Sequence, residues 1–150
     1  FGLLGNVAVM APEQLGEIPE ASLDLIFVNS VLQYLSRADL DGLLATWRRL
    51  LKPGGQLLIA DVIPPNVGLL TDVAALLKLS AQNGFLIASC FGLVRIFFSD
   101  YRKARTALGL AHYSEAEMLA ILSAAGYDAR RRAQNFGHNP ARMAFVGRFK

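Results

Sequence analysis

One stretch of this chain limits its possible folds more than any other: residues 50–61, which read LLKPGGQLLIAD. A helix that arrives here must stop before Pro53, because the residue ahead of a proline is disfavoured in the α region. Gly54 and Gly55 then give the backbone the freedom to reverse. The apolar run that follows, residues 56–61, predicts a strand that is buried on both faces of a sheet.

A second apolar run and a helical pattern precede this turn. The run Leu23–Asn29 predicts a parallel strand that is also buried on both faces. Ser36 is a favourable N-cap, and Asp39 stands at the capping-box position three residues later. Apolar residues then recur at helical spacing: Leu40, Leu43, Leu44, Trp47, Leu50 and Leu51. Strand, helix and strand make a βαβ unit, whose crossover is almost always right-handed.

The second half of the chain begins with a long helical segment. Residues 67–108 have helical character with a break near Asn83 and Gly84, and they are too long for an ordinary strand-to-helix connection. We therefore expect a helical insertion. Ser114 opens a capping box of the S-x-x-E form for a later helix, and Gly126 is a favourable residue to end it.

Two further strand candidates, residues 127–133 and 143–149, flank a turn-prone segment and are expected to pair as an antiparallel hairpin. The elements along the chain are then strand, helix, strand, helical insertion, helix, strand and strand. This order predicts an α/β fold, a partial Rossmann-like sheet that is mostly parallel, with an antiparallel strand near the C-terminal end.

Composition and charge narrow the setting in which the chain works. Its 150 residues suit one domain, and a hydrophobic content of 53% favours a deeply buried sheet. No apolar run reaches the roughly 20 residues that span a bilayer, and the N-terminus shows no signal-peptide pattern. The single cysteine, Cys90, favours a cytoplasmic location. Basic clusters at residues 102–105 and 130–132 are interpreted as solvated faces, so neither nucleic acid nor membrane is expected as a partner.

Polar residues follow both predicted parallel strands, at the edge where open α/β sheets bind their ligands. Asn29, Ser30, Gln33 and Tyr34 follow the first strand, and Asp61 ends the second. Such a cluster suits a polar ligand, but it equally suits a strand-to-helix turn whose polar groups cap the next helix. A carboxylate at a strand end likewise often caps a neighbouring loop, so Asp61 alone does not predict a catalytic base.

The two histidines and one tyrosine are further candidates for chemistry. His112 and Tyr113 precede the later capping box and could face the same edge, whereas His138 lies in the last turn. Neither histidine has a partner at the spacing of a catalytic triad or a metal site. The motifs H-x-x-x-H, C-x-x-C and G-x-S-x-G do not occur, so we expect neither a bound metal nor a serine-hydrolase triad.

Taken together, two segments resemble the class I S-adenosylmethionine-dependent methyltransferases. Residues 23–35, LDLIFVNSVLQYL, resemble the family's fourth strand and the turn after it, and the LKPGG sequence of residues 51–55 resembles the turn into its fifth strand. Residues 114–127 look like the family's late helix, and the closing strands look like its sixth and its antiparallel seventh. The resemblance implies methyl transfer from S-adenosylmethionine to a small molecule. The apolar residues 83–94 of the insertion suggest a hydrophobic substrate pocket, but such a helical segment more often packs against the sheet or against a second copy of the chain.

Parts of the family's pattern are missing. The glycine-rich G-x-G-x-G loop and the acid that holds the ribose do not occur, and residues 7–15 resemble the third strand and its loop with Ala11 at the usual aspartate position. Glu13 is the acid that could replace it. We therefore expect the chain to be the C-terminal portion of a longer methyltransferase. The strand edge at residues 25–28 would otherwise be open, so we expect the missing portion or a second copy to cover it.

The resemblance also implies roles for individual residues. Those that would border the methionine part of the cofactor are Asn29, Ser30 and Val31. Those that would contact the substrate, beneath a lid formed by the insertion, are Gln33, Tyr34 and Tyr101. Candidates for a catalytic base are Asp61, His112 and Tyr113.

Two other functions are open at this point. The chain could be a non-catalytic interaction module, similar to methyltransferases but unable to hold the cofactor, that associates through its sheet edge. A nicotinamide oxidoreductase shares the doubly wound architecture, but it also needs a glycine-rich loop, and the LKPGG turn argues against it.

Overall fold

The computed structural model describes residues 7, 9–97 and 110–149 of the chain. Its helices and strands are β1 (Leu23–Asn29), α1 (Arg37–Leu50), β2 (Leu51–Val62), α2 (Leu69–Gln82), α3 (Leu86–Phe97), α4 (Glu115–Ala124), β3 (Tyr127–Arg131) and β4 (Met143–Phe149). Two short 3-10 helices occupy Pro12–Glu17 and Leu32–Tyr34. Tyr101, which was predicted to contact the substrate, lies outside the described residues.

The four strands form one sheet in the order β1-β2-β4-β3. Strand β1 pairs with β2 in parallel, and β4 pairs antiparallel with both β2 and β3. Three strands therefore run in one direction, and β4 runs between two of them in the opposite direction. The predicted α/β fold, with an antiparallel strand near the C-terminal end, is confirmed.

Local signals in the sequence determine where the helices begin and break. The Ser36 hydroxyl accepts the amide of Asp39 at 3.1 Å, and the Ser36 amide donates to the Asp39 carboxylate at 3.2 Å. Ser114 and Glu117 form the same reciprocal pair at the start of α4. Gly84, with a φ of +77°, lies in the break between α2 and α3. Both capping boxes and the break in the insertion are confirmed.

The hydrophobic core lies between the sheet and the helices α1 and α4. Its most deeply buried members are Leu40, Leu44, Leu57, Ile59, Met118, Leu122 and Phe145. Ile26 and Val28 of β1 belong to this core, whereas Leu25 and Phe27, which alternate with them along the strand, are 54% and 51% exposed. The prediction that β1 is buried on both faces is wrong for the described chain, because the helices of the core cover only one face of this strand.

Strand β2 begins earlier than predicted. Leu51 already pairs with Leu23, while the next pair joins Leu25 to Gln56, so the intervening residues of β2 bulge out of the ladder. Gly54, with a φ of +78°, lies in this bulge. The turn predicted between helix and strand is thus an irregularity inside the strand.

Two other predicted strands also differ from the observed ones. Strand β3 ends at Arg131, two residues before the predicted limit. Residues 7–15 were predicted to be a strand and the loop after it, but the described residues 7 and 9–11 are not in a strand, and a 3-10 helix follows at Pro12–Glu17. A strand needs a neighbouring backbone for its hydrogen bonds, and the described sheet pairs β1 with β2 alone.

Within the described ranges, no helix is long and apolar enough to cross a membrane.

Gly126 provides a test of how α4 ends. Its φ is +87°, and a Cβ atom added to it would lie 2.8 Å from Nη1 of Arg48. We expect Gly126→Ala to lower the free energy of unfolding by about 1–3 kcal/mol. Gly42, inside α1 with open space around it, is the matched control, and Gly42→Ala should raise stability by about 0.5–1 kcal/mol. Urea unfolding of both variants measures the difference, and changes of the same sign would contradict this account.

Tyr127 should make stability depend on alkaline pH. Its ring is buried, its hydroxyl donates to the carbonyl of Leu44 at 3.2 Å, and burial raises its pKa from 10.0 to about 12. The unfolded chain loses this proton first, so the contribution of Tyr127 to stability is complete below pH 10 and is lost as pH rises toward 12. Tyr127→Phe should flatten that loss in unfolding curves recorded between these pH values. A slope as steep as that of the parent protein would contradict this account.

Candidate active site

The carboxyl ends of β1 and β2 lie side by side, because the strands are parallel and Asn29 pairs with Ala60. The next residues, Ser30 and Asp61, both have left-handed backbones, with φ of +57° and +66°. Their side chains meet, since the Ser30 hydroxyl donates to Oδ2 of Asp61 at 2.7 Å. Left-handed backbone is uncommon outside glycine and tends to cluster at ligand sites when the surrounding structure maintains it.

Asp61 is buried, and donors occupy both of its carboxylate oxygens. Nη1 of Arg142 donates to Oδ2 at 2.6 Å, and Nδ2 of Asn135 donates to Oδ1 at 3.1 Å. The Asp61 amide in turn donates to Oδ1 of Asn135 at 3.0 Å. This arrangement favours the capping role considered for Asp61 from the sequence over that of a catalytic base.

Arg142 extends these contacts to the first turn of α2. Its Nε and Nη2 donate to the two carboxylate oxygens of Asp72 at 3.0 and 2.6 Å, and Nδ2 of Asn139 donates to Oδ1 of the same residue at 2.8 Å. Burial acts to lower the pKa of Arg142, but the hydrogen bonds and charges of Asp72 and Asp61 outweigh it, so the pKa is raised and the side chain stays charged. We call the following residues the Arg142 network: Ser30, Asp61, Asp72, Asn135, Asn139 and Arg142.

Gln33 lies three residues after Ser30, in the 3-10 helix that follows β1. It is 8% exposed, and its Oε1 atom is a buried side-chain oxygen without a hydrogen-bond partner among the described residues. Its backbone carbonyl accepts the amide of Ala111 at 2.9 Å. Asn29 and Val31, in contrast, are exposed beside it. The edge therefore combines an exposed segment with a buried acceptor that has no hydrogen-bond partner in the described part of the chain.

A sequence comparison finds that part of the chain is similar to a known family. Residues 4–59 match the model of a family described as Methyltransferase domain, a segment that contains β1, α1 and most of β2. A comparison with curated proteins finds no match.

Solved structures match most of the chain. An O-methyltransferase family protein from Burkholderia thailandensis superposes with a TM-score of 0.55 and 16% identity, over 91% of this chain and 33% of that one. Human N-acetylserotonin methyltransferase in complex with SAM gives a TM-score of 0.52 and 17% identity, over 87% and 30%. The chain has the fold of the class I S-adenosylmethionine-dependent methyltransferases.

A third structure extends the match to a shorter protein of this fold. A SAM-dependent methyltransferase from Thermotoga maritima, described as a possible histamine N-methyltransferase, gives a TM-score of 0.51 and 14% identity, over 89% of this chain and 59% of that one. The chain thus spans about a third of the two longer methyltransferases and three fifths of the shorter one.

The methyltransferase fold brings most of the predicted site residues to one edge. The backbone bonds from Ala111 to Gln33 and from Tyr113 to Ile63 attach the segment before α4 to the strand ends. His112, between them, is exposed there. The Tyr113 ring packs against the core, and burial raises its pKa, which makes it a poor base.

Two differences from the sequence-based predictions concern this site. One predicted residue, Glu13, is not joined to it, and four residues of the Arg142 network were not predicted. Glu13 is exposed in the first 3-10 helix, and no hydrogen bond within the described chain joins it to the strand ends. Sequence reasoning missed Asp72, Asn135, Asn139 and Arg142. The available signal was the polar turn before β4, although nothing in its pattern indicates a partner on α2.

A substitution at Gln33 tests whether its buried side-chain oxygen lowers the stability of the fold. A buried acceptor without a donor costs about 1–3 kcal/mol, so Gln33→Met, which fills a similar volume without a polar atom, should raise the free energy of unfolding by about 1 kcal/mol. Gln82, exposed at the end of α2, is the control, and Gln82→Met should change stability by less than about 0.5 kcal/mol. Chemical unfolding of both variants measures this, and a destabilised Gln33→Met would show that Oε1 is satisfied in solution.

Proposed function

We propose that this chain is the C-terminal part of an enzyme that transfers a methyl group from S-adenosylmethionine to a small, hydrophobic molecule. The observation that carries the proposal is the exposed segment from Asn29 to Val31 beside Oε1 of Gln33, a buried acceptor that finds no hydrogen-bond partner within residues 7, 9–97 and 110–149. This edge lies at the carboxyl ends of parallel strands, where open α/β sheets bind ligands.

The residues at this edge fit one side of the cofactor. Asn29, Ser30 and Val31 would border its methionine part, largely through main-chain groups. Oε1 of Gln33 is a buried acceptor to which no described residue donates, so a ligand with a positive charge or an N–H or O–H donor would remove the cost of that missing bond. S-adenosylmethionine held there would supply a methyl group that its positive sulfonium activates for transfer to a nucleophile.

Positioning is the main contribution that these residues could make to the reaction. In-line transfer depends on holding the two reacting centres at a fixed distance and angle. Gln33 and Tyr34 are proposed to lie between cofactor and substrate, with Tyr101 as a further substrate contact. The exposed apolar side chains of α3, among them Ile87 and Phe91, favour a hydrophobic substrate beneath the helical insertion.

The remainder of the cofactor site is proposed to come from sequence upstream of Phe1. The chain spans 30% to 59% of the methyltransferases described above, and its own sequence has no glycine-rich loop. The same upstream portion would cover the strand edge from Leu25 to Val28, where Leu25 and Phe27 are half exposed and the backbone of an edge strand invites pairing. A second copy of the chain is the alternative cover.

A cytoplasmic location is proposed from the single cysteine, Cys90.

Calorimetric titration with S-adenosylmethionine and S-adenosylhomocysteine tests this function. We expect the protein that carries its native upstream sequence to bind both, and Gln33→Met to weaken binding or turnover while it gains stability. The control Gln82→Met should bind as the parent protein does. No binding by the longer protein would favour the non-catalytic interaction module. Full binding by the 150 residues alone would contradict both that alternative and the proposed upstream loop.

A further inference from the structure

An unbroken path of side-chain contacts runs from the helical insertion to the end of β1. It passes from Asp72 in the first turn of α2 to Arg142, then to Asp61 at the end of β2, and finally to Ser30. The three links measure 2.6, 2.6 and 2.7 Å. Every link connects a different pair of elements, so the path crosses the whole carboxyl edge of β1 and β2.

Arginine is the side chain that this junction requires. Nε and Nη2 of Arg142 bind Asp72 in a bidentate manner, while Nη1 binds Asp61. A planar guanidinium can serve two carboxylates in fixed directions, whereas an ammonium group acts as a compact point charge. Arg142 is 9% exposed, so little water is available to replace either contact.

The loop before β4 fixes the junction from the other side. Nδ2 of Asn135 donates both to Asp61 and to the carbonyl of Asn139, whose own amide group donates to Asp72. Gly137 approaches so closely that an added Cβ atom would lie 2.8 Å from Oδ1 of Asp61. The position of the carboxylates is therefore determined by several independent contacts.

The first turn of helix α2 contacts the Arg142 network, whereas its later residues do not contact the loop before β4 in the same way. Its first turn carries Asp72 and is joined to the network, whereas a cavity of about 400 Å³ lies between its later residues, such as Lys78 and Gln82, and the loop at residues 133–140. Its main packing partner is α3. The insertion is thus joined to the strand ends at the start of α2 and is separated from the loop farther along.

We propose that Arg142 is a positioning residue for methyl transfer, which holds the substrate-side insertion and the Ser30 backbone in one mutual arrangement. This inference rests on the proposed function, because it assigns the Ser30 segment to the cofactor side and α2 to the substrate side. Loosening the insertion at Asp72 then also loosens the Ser30 turn, although the two residues lie at opposite ends of the path.

Amide hydrogen exchange of the protein with its native upstream sequence tests the coupling without a ligand. The Ser30 amide donates to the carbonyl of Ala60, and the Asp61 amide donates to Asn135. We expect Asp72→Asn to speed exchange of both amides about tenfold, a coupling typical of residues in one ion-pair network. Asp41→Asn, which removes an exposed carboxylate paired with Arg37 on α1, is the control. Equal effects of the two variants, or no effect, would overturn the proposal.

Binding of S-adenosylhomocysteine provides the second readout. If Arg142 couples the two ends, the losses of affinity caused by Asp72→Asn and Ser30→Ala should not multiply in the double variant. Arg142→Lys should resemble Asp72→Asn, since an ammonium group cannot reproduce the forked contacts. Full recovery with lysine, or strictly multiplicative losses, would reduce Arg142 to a structural charge. Absence of binding by the parent protein would contradict the proposed function, while the exchange experiment would still decide the role of Arg142.

Discussion

Strand β2 hydrogen-bonds to β1 along one side and to β4 along the other, and the rest of the described fold depends on this double pairing. On the β1 side the parallel register brings Asn29 level with Ala60, so both strands end at the same edge. On the β4 side the antiparallel register places Met143 opposite Val62, so the residue just before β4 arrives at that edge as well. Arg142 can bind Asp61 because the two registers bring both residues to the same edge of the sheet.

The main effect of the Arg142 network is to fix the arrangement of its residues, and its net contribution to stability is secondary. Removing charged groups from water is costly, and a buried ion pair often stabilises a protein no more than an apolar replacement would. What such a cluster provides is a single arrangement of its partners, since an unpaired buried charge is strongly disfavoured. Here that arrangement includes two residues with a left-handed backbone, Ser30 and Asp61.

Features encoded by neighbouring residues could be predicted from the sequence, whereas those that join distant segments could not. Ser36 with Asp39 and Ser114 with Glu117 lie three residues apart, so their capping boxes are legible in the sequence. Arg142 and Asp72 are separated by 70 residues, and no spacing rule relates them. Burial of β1 was predicted from the apolar run alone, yet Leu25 and Phe27 are half exposed, because burial depends on what packs against a strand.

The position of β4 has a consequence for the order in which the molecule assembles. This strand follows β3 in sequence but lies between β2 and β3 in the sheet, so β3 joins the described sheet only through its pairing with β4. Arg142 reaches Asp61 and Asp72 in the same step, since it directly precedes β4. During synthesis, the turn at Ser30 therefore emerges from the ribosome more than a hundred residues before the side chain that secures it, and the candidate site becomes complete only when the last strand is inserted.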